Sequence, residues 1–227
     1  MAQTQEQLSA PVRIPQRIRF ATLRVRLIST AAALAVWFWT QSLLGRRSLP
    51  ASGIGDWTHT ITFSANHYLQ LHAATANGLL VISSAVIDLM GIFLLARWIF
   101  QNELRPFLSL VLVLGLRQVM QFCVALPAPA DQIWHYPGFP SLLVTYNVAN
   151  DYFFSGHTAI AVLAAVELSR THKAWATWLG VVLVIFEIAT VLVLRAHYAM
   201  DVFTGLITGL YVPHLADSLL TAFKRKA

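Results

Sequence analysis

The chain has 227 residues, 57% of them hydrophobic and only 11% charged, with a mean hydropathy of +0.61. Water-soluble domains carry about a quarter charged residues, so this composition excludes a soluble globular protein and places most of the surface in lipid. The formal charge of +6 does not mark a nucleic-acid binder, because the basic residues gather where they would orient a membrane protein, and the single cysteine, Cys123, excludes an internal disulfide.

A bilayer core needs about 20 apolar residues per helical crossing, so the length allows about six spans with their loops. Residues 1–26, with Arg13, Arg17, Arg19, Arg24 and Arg26, read as a basic cytoplasmic segment and not as a cleavable signal peptide. A first span is expected over 27–44. The stretch 56–72 mixes Trp57, Tyr68 and His59, His67 and His72 with polar residues, and reads as an interfacial helix. The second span covers 77–100 with Asp88 near its middle, and Arg97, Glu103, Arg105 and Pro106 form a short turn. The third covers 107–126 and contains Arg117. Pro127, Pro129, Pro137, Gly138 and Pro140 build a long loop that is not helical throughout. Spans four, five and six are expected over 155–170, 175–194 (with Glu187) and 198–222, before Lys224-Arg225-Lys226. The expected fold is all-α: a bundle of about six transmembrane helices forming one catalytic domain over 27–223, between the basic segment 1–26 and a basic tail, 224–227.

Basic residues near span ends favour the cytoplasm. The N-terminal arginines, Arg97 with Arg105, Arg170 with Lys173, and the terminal Lys-Arg-Lys fall on one side of a six-span protein, while the 127–150 loop has no Lys or Arg. Arg46 and Arg47 are the exceptions. The ends bearing Ser155–His157 and Arg195–Asp201 then face away from the cytoplasm.

Those two ends carry the chemistry. Asn150-Asp151-Tyr152-Phe153-Phe154-Ser155-Gly156-His157-Thr158 and Arg195-Ala196-His197-Tyr198-Ala199-Met200-Asp201 each open an apolar run. One out-and-back pair of spans separates them, so both histidines reach the same membrane face. Polar groups at membrane depth are costly and mark functional sites by default. Asp201 stands four residues after His197 on the same helix face, placed to accept from one ring nitrogen and leave the other as base or nucleophile. His157 can supply the proton that a leaving oxygen needs. Ser155 and the Gly156 amide, at a helix start, offer donors to an anion such as phosphate. Together these residues fit phosphoryl transfer through a phosphohistidine. A lone histidine at such a position can equally cap a helix at the interface. The joint pattern of His157, His197 and Asp201 is more than capping requires.

The order Ser-Gly-His, then His-x-x-x-Asp, resembles the type-2 phosphatidic acid phosphatase superfamily of six-span membrane enzymes. The likeness is closer to its sphingomyelin synthase-like branch. Asp151, Phe154, Ser155, Gly156, His157 and Thr158 resemble one motif of that branch, and His197, Tyr198, Asp201 and Val202 another. Arg105, Arg117 and the run Leu126-Pro127-Ala128-Pro129 are similar to that branch and to the plant phosphatidylcholine:diacylglycerol cholinephosphotransferases, and Arg195-x-His197 resembles the latter more. The resemblance covers roughly residues 100–210. It implies an enzyme of lipid metabolism in which His197 attacks phosphorus, Asp201 orients it, and His157 protonates the leaving group and then activates an acceptor. It implies no cofactor and no metal. Its partners would be membrane lipids: a phospholipid donor, with phosphocholine as the headgroup the resemblance suggests, and a diacylglycerol- or ceramide-like hydroxyl as acceptor. A lipid phosphate phosphatase or phospholipase C-like hydrolase using the same site is the alternative.

Two basic positions of the phosphatases are missing. A Lys-x6-Arg-Pro motif would need lysine where Trp98 stands, and the arginine of a Ser-Arg pair would fall at Val191. The substrate contacts are therefore expected from Ser155, Gly156, Asp151, Tyr198 and a phosphate clamp of Arg117 and Arg195. Arg117 could instead pair structurally with Asp88 or Glu187. Arg105 reads as an anchor at the cytoplasmic face. Trp134, Tyr136 and Phe139 read as an interfacial belt, or as a cation–π site for a quaternary ammonium. His59, His67 and His72 are irregularly spaced for a metal site, and interfacial polarity accounts for them.

Overall fold

The computed structural model describes residues 54–146 and 152–225, together with helical positions at Ile28, Ala31, Ala32, Ala35, Val36 and Trp39. The expected first span, Asp151, Arg46, Arg47 and the basic N-terminal segment lie largely or wholly outside the described residues. The chain divides into two compact units, Met1–Gly55 and Asp56–Ala227. The described residues of the second unit form helices α1 (Trp57–Ile61), α2 (Phe63–Leu71), α3 (Ala73–Gln101), α4 (Leu104–Cys123), α5 (Gly156–Ser169), α6 (Ala174–Val193) and α7 (Ala199–Lys224), without a strand. Four of these, α3, α4, α6 and α7, are long and apolar enough to cross a membrane. The protein is an all-α integral membrane protein.

Helix α5 is the hub. Ser155 caps it, its Oγ accepting from Thr158 N–H at 3.3 Å and from the Thr158 hydroxyl at 3.1 Å. Its sequence, GHTAIAVLAAVELS, is rich in small side chains, and nine of its residues are buried. Close packing in a membrane depends on such residues, because lipid offers no hydrophobic drive for helices to associate. On α7, a Cβ at Gly205 would stand 2.6 Å from the Ser155 carbonyl oxygen, and one at Gly209 would stand 2.8 Å from that of Ala159. These two glycines let α7 lie directly on α5.

At the carboxyl end of α5 a group of charges ties helices together. Arg105 holds the fully buried Glu167 through Nη2 at 2.5 Å and Nε at 3.1 Å, and Arg170 holds Asp217 of α7 at 3.1 Å. Arg97 pairs with Glu103. The α3–α4 turn is tighter than the sequence suggests. It consists of Asn102 and Glu103, with Arg105 and Pro106 already in α4, where proline costs no helical hydrogen bond in the first turn.

At the amino end, α5 is short. Its 14 residues span about 21 Å, against about 30 Å of hydrocarbon. The connection between α4 and α5 is irregular in its described residues, 124–146 and 152–155. Irregular backbone needs partners from the rest of the protein, and Asp88 of α3 supplies several. Its carboxylate accepts from the Ser141 hydroxyl and from the N–H groups of Leu142 and Leu143, all at 2.9–3.0 Å. Ile133 N–H bonds the Leu194 carbonyl at 2.8 Å, Trp134 Nε1 donates to the Thr145 carbonyl at 3.2 Å, and Ser84 pairs with the Tyr146 hydroxyl. Asp88 is thus an internal partner of the loop, and Glu187, accepting from Ser83 Oγ at 2.6 Å, is a partner of α3. The expected interfacial helix is broken at Thr62 into α1 and α2, and it exposes Trp57, Ile61, Phe63, Tyr68 and Leu71.

Candidate active site

The amino ends of α5 and α7 meet where Ser155 N–H bonds the Asp201 carbonyl at 3.1 Å. This contact brings together the two stretches that carry the histidines. His157 and His197 line one cavity of about 50 Å³, with Arg117, Trp134, Tyr152, Thr145 and Gly156 among its walls. A space of that size holds a few waters. Both histidines are almost wholly buried. His157 presents an edge-on contact to Trp134, with ring centroids 5.2 Å apart, and its Nε2 has no hydrogen-bond partner among the described residues.

Asp201 does two things at once. Its Oδ2 accepts from Tyr198 N–H at 2.9 Å, closing the first turn of α7, and lies 3.6 Å from His197 Nδ1. That separation is an ionic contact too long for a hydrogen bond, and His197 Nδ1 and Asp201 Oδ1 are both buried without one among the described residues. The i, i+4 spacing thus delivers the side chains to each other, while the carboxylate also serves the helix end.

Arg117 crosses to the start of α5. Its Nε donates to the Phe154 carbonyl at 3.0 Å, and a Cβ on Gly156 would stand 3.0 Å from that nitrogen. Glycine at this position therefore makes room for the guanidinium beside the helix amino end. Arg195 does otherwise. It takes φ +52, the left-handed region costly for a side-chain-bearing residue. Its Nη1 donates to the Ala130 carbonyl at 2.9 Å and to Asp131 at 2.7 Å, and its Nη2 donates to the His59 carbonyl at 3.2 Å. It braces the loop and is not among the residues that wall the cavity.

Ser155 and Tyr198 also stand outside the cavity wall. The Ser155 hydroxyl is fully buried as the α5 cap. The Tyr198 hydroxyl donates to the Pro127 carbonyl at 3.1 Å. The belt of Trp134, Tyr136 and Phe139 is split: Trp134 walls the cavity, while Tyr136 and Phe139 are exposed. Tyr152, in the motif stretch but not singled out there, is a wall residue whose hydroxyl donates to Gln132 at 3.3 Å. Among the described residues no three His, Cys, Asp or Glu side chains converge as metal ligands.

An all-α membrane protein with a histidine pair, a carboxylate and an arginine at one end of its bundle is the class that fold and site define. The AtPDCT1/2 family model matches residues 55–218, most of the chain, and the protein belongs to that family. The match begins well before the region of resemblance read from the motifs, and it takes in α1 to α3. A curated relative is phosphatidylcholine:diacylglycerol cholinephosphotransferase 1 of Arabidopsis thaliana, 22% identical over 178 residues, which are 78% of this chain and 56% of that protein. The chain therefore spans little more than half the length of that relative. No solved structure matches the chain.

Proposed function

We propose that the protein is a membrane phosphotransferase of the type-2 phosphatidic acid phosphatase superfamily. It moves a phosphocholine headgroup from a phosphatidylcholine-like donor to a diacylglycerol- or ceramide-like hydroxyl. The observation that carries this reading is the convergence of His157, His197 and Arg117 on one cavity. Membership of a family whose curated relative is named for cholinephosphotransfer supports the choice of headgroup and acceptor.

In the first step a lone pair of His197 Nε2 attacks phosphorus. The bond from phosphorus to the glyceride oxygen breaks, and that oxygen leaves with a proton from His157. Asp201 faces the other ring nitrogen and stabilises the positive charge that forms on the imidazole. In the second step the acceptor hydroxyl gives its proton to His157 and attacks phosphorus, and the P–N bond breaks. Arg117 and the amino end of α5 offset the charge on the phosphoryl oxygens. The active site faces away from the cytoplasm, opposite the Arg97–Arg105–Arg170 end, within a catalytic unit flanked by basic cytoplasmic segments.

The assay supplies purified protein with labelled phosphatidylcholine, with and without diacylglycerol or ceramide, and separates the products. Transfer to the acceptor, with slower release of free phosphocholine in its absence, is the expected outcome. Free phosphocholine or phosphate as the sole product, unchanged by acceptor, would make the protein a hydrolase. His197→Ala is expected to lose at least about a thousandfold in turnover, and retention of a tenth of the rate would rule out the covalent route.

A further inference from the structure

The turn bearing His197 is gripped by a short segment far away in sequence, at the start of α1. Asp56 Oδ2 accepts from Ala199 N–H, in the first turn of α7. Its Oδ1 is fixed by Thr58, through N–H at 2.8 Å and the hydroxyl at 2.6 Å. His59 lies against Tyr198, with ring centroids 5.5 Å apart, and its Nε2 stands 3.4 Å from the His197 carbonyl oxygen. The His59 carbonyl accepts from Arg195 Nη2 at 3.2 Å. Four of the five residues from Arg195 to Ala199 thus receive a contact from Asp56 or His59.

Two carboxylates therefore share the amino end of α7, where helix N–H groups lack partners and the helix dipole favours negative charge. Asp56 serves Ala199 N–H, and Asp201 serves Tyr198 N–H while facing His197. Without Asp56, the unsatisfied Ala199 N–H would compete for the Asp201 carboxylate and draw it from the ring. We propose that Asp56 and His59 are positioning residues for His197: they hold its turn in register and leave Asp201 free to orient the imidazole. Neither belongs to the motif stretches, and both fall inside the family match, which begins at residue 55. This inference rests on His197 being the nucleophile of the proposed reaction.

The test uses the full chain, with two readouts. The first is kcat and KM for phosphatidylcholine with diacylglycerol as acceptor. A displacement of the reacting group by about 1 Å can cost about a hundredfold in rate. Asp56→Ala is expected to lose kcat on that scale with KM nearly unchanged, while Asp56→Asn, which keeps an acceptor for Ala199 N–H, recovers most of it. The second readout needs no substrate: the rate of diethyl pyrocarbonate modification of His197, followed by mass spectrometry against the exposed His172. Asp56→Ala and His59→Ala are expected to change the His197 rate severalfold and leave His172 alone. If Asp56→Ala does not fold, His59→Ala, which removes the contacts to Tyr198 and the His197 carbonyl, carries both readouts. Folded Asp56→Ala or His59→Ala with unchanged kcat and unchanged His197 reactivity would overturn the proposal. Changed reactivity in a protein that transfers no headgroup would uphold the positioning and sink the transferase reading.

Discussion

Arg117 lines the cavity beside the two histidines, whereas Arg195 turns its guanidinium to Ala130, Asp131 and His59. The two were interchangeable in the sequence, since each is an arginine near a motif, and spacing alone does not tell a clamp from a brace. Their variants should separate. Arg117→Ala is expected to lower kcat/KM by about a hundred- to a thousandfold, the usual cost of a charge-stabilising donor, beyond what the freed Phe154 carbonyl costs in thermal stability. Arg195→Ala should act first on stability, because it strands the loop carbonyl of Ala130 and leaves a strained backbone unanchored. Turnover and thermal unfolding in detergent, measured on both variants, check this. The meeting of His157, His197 and Asp201 was legible, because one out-and-back pair of helices returns both motif stretches to the same end. Asp56 and His59 were not, because α1 looks like an ordinary interfacial helix until the fold brings it against His197.

At the scale of elements, α5 decides where the site sits. The sequence marks its apolar run and its cap, Ser155, but does not show that α7 must lie almost in contact with it. That closeness comes from Gly205 and Gly209. Gly205→Ala would force a Cβ to 2.6 Å from the Ser155 carbonyl oxygen. The expected cost is about 1–3 kcal/mol of overpacking, read as a lowered unfolding temperature together with lost turnover, since the same shift parts the two histidines. The attachment of α1 has a pH signature. Burial opposes the charge of Asp56, but hydrogen bonds from Thr58 and Ala199, with His59 nearby, outweigh it and hold its pKa below the usual 3.8. A carboxylate depressed in this way contributes stability above pH 3.8 and loses it as pH falls through its lower, folded value. Unfolding measured across that window should show a stability loss that Asp56→Asn removes, whereas an identical profile in the variant would assign the acid sensitivity elsewhere.

At the scale of the described unit, the Arg105 and Arg170 ion pairs and the histidine cavity occupy opposite ends of α5. Arg105 and Arg170 meet Glu167 and Asp217 at one end, and His157 stands at the other. The helices of the described unit were legible to within a few residues; α3, α4, α6 and α7 have membrane length, whereas the expected fourth span is the shorter helix α5. The course of the 124–146 loop was not, since Asp88 shows its purpose only once Ser141, Leu142 and Leu143 lie against it. The proposed orientation puts this loop outside the cytoplasm. After replacement of the exposed native Cys123, a membrane-impermeant thiol reagent on intact cells should label a cysteine at Gln132 and spare one at Lys173.

Headgroup transfer through His197 is the central claim, and its covalent intermediate can be sought directly. Purified protein mixed with phosphatidylcholine, without acceptor, can be quenched in alkali within one turnover, which preserves an acid-labile P–N bond, and mapped by tandem mass spectrometry. The predicted result is a phosphocholine adduct on His197 that disappears on addition of diacylglycerol and does not form in His197→Ala. Continued turnover with no adduct, or an adduct on any other residue, would contradict it.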